Sequence, residues 1–406
     1  MRQDVPRSHR LLREIAGGDA VVSVLAIGLA LVAGGILIVL TDPEVQAAAG
    51  YLLARPGDTV LAAGDAIAGA CSALFQGAFF NGTRAGWANQ IKPLTETLTL
   101  ATPLIAAGLG VSVAFRAGMF NIGGRGQMLV AAAVAGWISW SFPMPYLLHM
   151  LVCVLGAIVG GALWGGIAGV LKARTGAHEV IVTIMLNYVA FYLVSFLLRT
   201  PGALQAPGSN NPKSPAALDT AVMPTLSDLL GIGSFRLHAG FVLVVMATIL
   251  IWWVLNRSSM GFRFRAVGEN PRAARVAGID VQRVYLVALM MSGGLAGLAG
   301  ASQVLGTTTM GFGSGVDAGI GFDAITVALL GRSRPWGVFA AGLLFGALKT
   351  GGYAIQATQA VPIDLVLVVQ SVIVLLIAAP PLVRAVFRLP APAAALPHRR
   401  TETVAG

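Results

Sequence analysis

Charged side chains are scarce in this chain: Asp, Glu, Lys and Arg together make up 11% of its 406 residues, against about 25% in soluble domains. That deficit excludes a water-soluble globular domain as the main architecture. Cysteine is scarcer still. The two thiols, Cys71 and Cys153, fall in different segments and show no metal-ligand spacing, so each reads as a small buried thiol. The five histidines are scattered, four of them near segment ends, and no catalytic triad or metal cluster emerges. "GALKT" at 346–350 lacks the Gly-Lys adjacency and upstream glycines of a phosphate-binding loop. "GFGSG" at 311–315 lacks the strand and helix context of a dinucleotide fingerprint. The chain has no engine of its own.

What it has is apolar length. Hydrophobic residues make up 56% of the chain, mean hydropathy is +0.79, and runs of about 20 apolar residues, enough to cross a bilayer, recur throughout. The sequence predicts an all-α membrane protein, a polytopic helical bundle of about ten transmembrane segments, some broken or half-length. Full segments fall near 20–41, 95–115, 126–141, 147–171, 178–198, 238–256, 284–305, 337–355 and 363–380. "FDAITVALLG", at 322–331, is too short to cross alone and reads as a half-helix. Residues 42–92 read as an outside region with one or two short interfacial helices. "RTPGALQAPGSNNPKSPAALDT", at 199–220, is too polar to span and reads as an exposed loop. The apolar run after Arg13 is too long for a signal-peptide core, so a retained first helix is expected.

The formal net charge of +10 does not point to nucleic acid, because the basic residues stand in short clusters between apolar runs. With the N-terminus inside, 19 of the 27 Lys and Arg residues fall in inside segments and seven outside, while Arg125 lies in a break. That bias predicts a multi-pass protein of the cytoplasmic membrane, in contact with its lipid, with both termini cytoplasmic. The expected organisation is a cytoplasmic tail at 1–19, the first helix and outside region at 20–92, a core at 93–385 with the basic loop 257–283, and a cytoplasmic tail at 386–406.

Two stretches ask for more than spanning. "GMFNIGGRGQ" at 118–127 places glycines, Asn121, Arg125 and Gln127 between apolar runs. A helix broken by Gly123, Gly124 and Gly126 frees backbone groups that only a cavity or buried protein can satisfy. The amides of Asn121 and Gln127 either bond a cargo edge or tie the broken backbone to neighbouring helices. Asn187, in the middle of the fifth segment, either lines a path or joins helices. An intramembrane Arg125 is costly unless paired or wet, and Glu179 is a candidate partner. Asp323 opens the half-helix, where a carboxylate stabilises the positive end. Repeated small residues four apart, such as Gly161/Gly165/Gly169 and Gly293/Gly297, let backbones approach closely. In the basic loop, Pro271 suits a first helical turn and Gly278 a C-terminal cap, so "RAARVA" predicts a short helix.

"FRAGMFNIGGRGQMLVAAAVAGW", "LKARTGAHEVIVTIMLNY", "FRAVGENPRAARVAGIDVQRV" with "SGGLAGLAGASQVLG", and "GFDAITVALLGRSRPWGV" occur in that order. Together, over roughly residues 95–385, they resemble the membrane permease subunits of ABC importers in the ribose/branched-chain-amino-acid permease superfamily. The nucleoside-type branch, served by a BMP-type lipoprotein, is the nearest likeness. The resemblance implies nucleoside import by alternating access, with a simple sugar or a branched-chain amino acid as the alternative cargo. A secondary transporter is the reading from another class, and a structural or channel protein a third. The implied partners are a second related permease, a cytoplasmic ATP-binding cassette subunit that uses ATP and Mg, and an extracytoplasmic substrate-binding lipoprotein. No cofactor, metal or catalytic residue is expected in this chain, which is therefore not itself an enzyme. The resemblance places Phe120, Asn121, Gly123, Gly126, Gln127 and Asn187 along the substrate path. It places Gly268, Asn270, Pro271, Ala273, Ala274, Ala277 and Gly278 in the segment that couples to the ATPase. Ala274 and Ala277 lie three apart, on one face of that short helix, and are small enough to seat against a partner. Arg125 departs from the family pattern.

Overall fold

The computed structural model describes residues 19–231, 235–359 and 363–378, with short pieces at 382–383 and 386–388. The tails expected at 1–19 and 386–406 lie almost wholly outside the described residues. Fifteen α-helices follow one another among the described residues, with no strand pairing beyond an isolated bridge between Thr225 and His238. They are α1 (Asp19–Thr41), α2 (Pro43–Ala49), α3 (Pro56–Ala78), α4 (Trp87–Arg116), α5 (Gly124–Ser141), α6 (Tyr146–Thr175), α7 (Glu179–Leu197) and α8 (Leu226–Leu230). Then come α9 (Gly240–Arg257), α10 (Ser259–Glu269), α11 (Pro271–Val276), α12 (Val281–Ser302) continued by a π-turn at Gln303–Thr307, α13 (Ile320–Leu330), α14 (Pro335–Gln359) and α15 (Ile363–Ala378). Seven of these are long and apolar enough to cross a membrane, or eight if the α1–α2 pair, bent by 67°, is one span.

That count is lower than the ten expected. α5 is a helix of 18 residues whose first turns carry Arg125, Gln127 and two glycines, and α15 has only 16 described residues. Conversely, α3 is a continuous helix of 23 residues where the sequence predicts short interfacial pieces. Asp58, Asp65 and Gln76 dilute its apolar pattern enough to hide a span-length helix. Most of its length is exposed, Cys71 included, whereas Cys153 is buried.

The chain divides into two compact units, residues 1–66 with 364–406, and residues 67–363. In the first, the α1–α2 bend is fixed by Asp42, whose carboxylate accepts from the Glu44 and Val45 amides at 2.9 and 3.1 Å. α1 meets α15 at Gly34 and Val369.

The second unit is built around α4, which is buried along most of its length. Its buried threonines are satisfied locally: Thr99 and Thr102 donate to the carbonyls of Thr95 and Leu98, both at 2.8 Å. Beside it, α6 and α12 cross with their backbones in contact. A Cβ added at Gly161 would collide with the Gly293 carbonyl, one at Gly293 with the Gly161 carbonyl, and one at Gly297 with the Ala157 carbonyl. The small-residue stripes of the sequence are therefore a packing seam. With no hydrophobic driving force in lipid, such close approach supplies the dispersion contacts that hold helices together.

The described stretches 199–231 and 235–239 are more structured than an exposed loop. Their backbone is laced to the segment after α12: Ser214 N–H donates to Phe312 O at 2.9 Å, Ala217 N–H to Thr309 O at 2.9 Å and Met223 N–H to Leu305 O at 2.8 Å. Leu204, Ala221, Met223 and Phe235 are buried beneath them.

Candidate functional site

The glycine-rich stretch sits where α4 stops and α5 has not begun. α4 ends at Arg116, and the chain turns at Gly118, φ +73°, whose Cα side faces the backbone of Gly268 so closely that a Cβ would lie 3.0 Å from the Gly268 Cα. The backbone stays non-helical until Gly124. Four backbone groups at and just past the break are met by buried side chains. Ile122 N–H donates to Thr183 Oγ1 at 3.3 Å, and Ile122 O accepts from Asn187 Nδ2 at 2.9 Å. Asn187 Oδ1 accepts from Gly126 N–H at 2.8 Å, so one amide clasps both sides of the break. Asn121 folds back to accept from Gly123 N–H at 2.8 Å, and its Nδ2 donates to Ser292 Oγ at 2.7 Å and Gln127 Oε1 at 3.1 Å. Asn121, Gln127, Thr183, Asn187 and Ser292 are all buried. Unsatisfied, each such group would cost about 1–3 kcal/mol.

Of the six residues that the resemblance places along a path, five are thus packed together at the break, with the amides of Asn121, Gln127 and Asn187 occupied by internal bonds. Phe120 is the exposed one, its ring 4.8 Å from that of Phe115.

Arg125, one residue into α5, is paired, but not with Glu179. Its Nε lies 3.2 Å from Asp317 Oδ2, in an ion pair without hydrogen-bond alignment. Its guanidinium also stands 5.0 Å from the centroid of the Phe191 ring. Glu179 is held instead by Lys172 at 2.8 Å, because Lys172 lies in the last turn of α6 and Glu179 opens α7 just beyond a short connection. Asp317 precedes the half-helix α13, whose Gly321 packs backbone to backbone on Arg125. Two helix N-termini, those of α5 and α13, therefore meet around one buried carboxylate, which offsets their positive ends. Asp323, in the first turn of α13, bonds Lys349 at 2.6 Å. Sequence reasoning missed Asp317, Lys349, Thr183 and Ser292. Asp317 reads as part of a glycine-rich outer turn, and its partner lies too far along the chain for any spacing to connect them.

The expected coupling segment is a capped helix. Asn270 Oδ1 accepts from the Arg272 and Ala273 amides at 3.0 and 3.1 Å, and Pro271 occupies the first helical position, where its missing N–H costs nothing. At the other end Gly278, φ +79°, takes the left-handed conformation. Gly278 N–H donates to Arg275 O and Ile279 N–H to Ala274 O, both at 3.0 Å, a Schellman closure. Ala274 is buried against the chain itself. In this chain it faces inward and is not part of the exposed face of α11. The face offered outward holds Ala273, Val276 and Ala277, at the i, i+3, i+4 spacing of one stripe, and Val276 is 92% exposed.

At the opposite end of the unit, a cleft of about 630 Å³ is lined by Trp137, Trp140, Gln205, Ser209, Asn210 and Pro215 among others. Among the described residues, no group of three or more His, Cys, Asp or Glu side chains is placed to hold a metal ion.

A polytopic helical core with a broken helix at its centre and a capped helix projecting from one end defines a membrane permease subunit. Residues 94–378 match the family described as "Branched-chain amino acid transport system / permease component", and the chain belongs to that family. It is 36% identical to the guanosine ABC transporter permease protein NupP of Bacillus subtilis over 319 residues, 79% of this chain and 88% of that one. It is also 36% identical to the glucose ABC transporter permease protein TsgB13 of Haloferax volcanii over 287 residues, 70% of this chain and 75% of that one. To the nucleoside ABC transporter permease protein NupB of Lactococcus lactis it is 33% identical over 294 residues, 71% and 79% of the two chains. No solved structure matches.

Proposed function

We propose that this chain is one of two related permease subunits of an ATP-driven importer of nucleosides, with residues 93–385 as its core. The observation that carries the reading is α11: a helix of six residues is too short to stand alone, yet it is capped at both ends and presents an apolar stripe to the outside. Such an element suits docking into a groove of a cytoplasmic ATP-binding cassette subunit, which binds and hydrolyses ATP with Mg. The permease itself uses no cofactor and catalyses nothing. The end bearing α10 and α11 faces the cytoplasm, as do both termini, a reading supported by the 19 of 27 basic residues assigned to inside segments. The cleft with Trp137 and Trp140 then faces an extracytoplasmic lipoprotein that delivers the cargo.

Transport follows from the break. ATP-driven motion of α11 passes through its packed neighbours, Gly268 against Gly118, to the start of the broken stretch 118–123. Opening there exchanges the internal bonds of Asn121, Gln127 and Asn187 for bonds to a cargo rich in donors and acceptors, with Phe120, Gly123 and Gly126 beside it. Similarity to NupP and NupB favours a nucleoside. The equal identity to TsgB13 makes a simple sugar the second reading.

The test is uptake of labelled guanosine, glucose and leucine in cells that express the chain with its ATPase, second permease and lipoprotein. Val276→Glu is expected to abolish ATP-dependent uptake and weaken co-purification of the ATPase while membrane insertion stays normal. Cysteines placed at Arg174 and Asn210 should be labelled from the cytoplasm and from outside, respectively. Uptake that survives Val276→Glu with the ATPase still attached refutes the role of α11, and uptake driven by an ion gradient without ATP refutes the importer.

A further inference from the structure

Three cations in the helical part of the chain stand against carboxylates: Arg125 with Asp317, Lys172 with Glu179, Lys349 with Asp323. A cluster of three arginines around one cavity has no such partner among the described residues. Where α4, α9, α10 and α14 meet, a cavity of about 250 Å³ is lined by Arg116, Arg265, Arg334, Trp252, Trp336 and Gly337, with no acidic residue in its wall. Arg116 spends its Nε–H on the Ser333 carbonyl at 3.0 Å, and Arg265 bonds the Leu255 carbonyl. None of the three guanidiniums sits in an ion pair among the described residues.

Three like charges around a hollow repel one another, and a carboxylate in the wall would relieve them. Its absence marks the cavity as a site for an anion from elsewhere. The first turn of α14, Pro335 to Gly337, adds the positive end of a helix of 25 residues. Guanidinium forks match phosphate oxygens in pairs. Trp252 and Trp336 are 37% and 48% exposed and stand at the ends of helices long enough to cross the bilayer. Indoles in that position mark the headgroup level, where the phosphate of a lipid lies and free phosphate has no advantage.

We propose that this cavity holds the phosphate of an anionic phospholipid headgroup. The lipid then joins α4 and α14, which belong to the core, to α10, which carries the coupling helix, and the motion of α11 is transmitted through a lipid-bridged joint.

The test uses the full chain purified in mild detergent, offered phosphatidylglycerol or phosphatidylcholine, with bound lipid read by native mass spectrometry. Phosphatidylglycerol should be retained preferentially, and retention should fall about fivefold for each arginine removed in Arg334→Gln and Arg265→Gln. Arg334 is exposed and its side chain makes no internal bond, so Arg334→Gln should fold as the parent does. Arg263→Gln, exposed on α10 outside the cavity, should retain lipid like the parent, and so should Arg334→Lys to a large extent. Equal retention of both lipids overturns the proposal. So does unchanged retention in the Arg265→Gln/Arg334→Gln double variant, or displacement by millimolar inorganic phosphate that itself stays bound. Loss of the ATPase from Arg334→Gln with lipid retention unchanged assigns the cavity to a protein carboxylate and equally overturns it.

Discussion

Asp317→Asn removes half of the ion pair that joins the start of α5 to the turn leading into the half-helix α13. At 3.2 Å and an effective dielectric near 20, the attraction lost is about 5 kcal/mol. Desolvation of the two charges offsets part of it, and removing one partner of a buried pair in general costs about 3–5 kcal/mol. Two features of the site lower that figure. The Arg125 side chain is 29% exposed, so its orphaned charge stays partly hydrated. Phe191, 5.0 Å from the guanidinium, keeps about 1 kcal/mol of cation–π attraction. The expected loss is therefore about 2–4 kcal/mol, measured as equilibrium unfolding in mixed detergent micelles. Arg125→Gln/Asp317→Asn, which leaves no buried charge, should recover more than half of it. If Asp317→Asn matches the parent within about 0.5 kcal/mol, or if the double variant loses the sum of the two single losses, the pair does not join the helices.

Asn187→Leu keeps the branched shape but strips Gly126 N–H and Ile122 O of their partner, and should cost about 2–4 kcal/mol of stability by the same unfolding assay; a neutral effect would mean the break is satisfied by other groups. Gly161→Ala drives a methyl into the Gly293 carbonyl and should cost about 1–3 kcal/mol, whereas Gly166→Ala meets only the flexible Met290 side chain and should be far milder. His238 is buried, accepts from Gly240 N–H at 3.2 Å through Nδ1, and has no protein partner at Nε2. Burial, with Arg236 nearby, pushes its imidazole down from 6.5 to about 4. The unfolded chain then binds the extra proton between those values, so stability is full above pH 6.5 and falls by up to about 3 kcal/mol as the pH drops to 4. Hydrogen exchange of residues 223–231 and 235–239 should speed up over that window in the parent and not in His238→Gln; equal behaviour of the two refutes the assignment.

The contrast between Ala274 and Val276 shows where the sequence stops speaking. Asn270, Pro271 and Gly278 act on their own backbone neighbours, so their roles as caps are local and can be read from spacing. Which face of α11 turns inward is decided by what α10 and α12 present to it, and a helix of six residues carries no periodicity long enough to tell. The same division runs through the core. The break at 118–123 is legible because glycines in an apolar run violate a local rule. Its clasp is legible only in part: Asn121, Gln127 and Asn187 stand out as polar residues in apolar runs, but Thr183 and Ser292 do not, and the partners meet only because α7 and α12 reach the break across the packed bundle. Asp317 looks like a solvated turn residue until Arg125 is beside it. α3 fails for the opposite reason: two aspartates and a glutamine lower its apolar signal while length and continuity, which only the folded backbone reveals, make it span-length. A permease must be able to undo part of its own packing. The contacts least legible in the sequence, the amide clasp and the Arg125–Asp317 pair, are polar, long-range and exchangeable for other polar partners. The glycine seam of α6 and α12 is dispersive and has no such substitute. Motion should therefore be concentrated at the break and not at the seam. Distance measurements between probes on α6 and α12 should stay fixed through the transport cycle while those between α5 and α7 change, and the reverse pattern would refute this division.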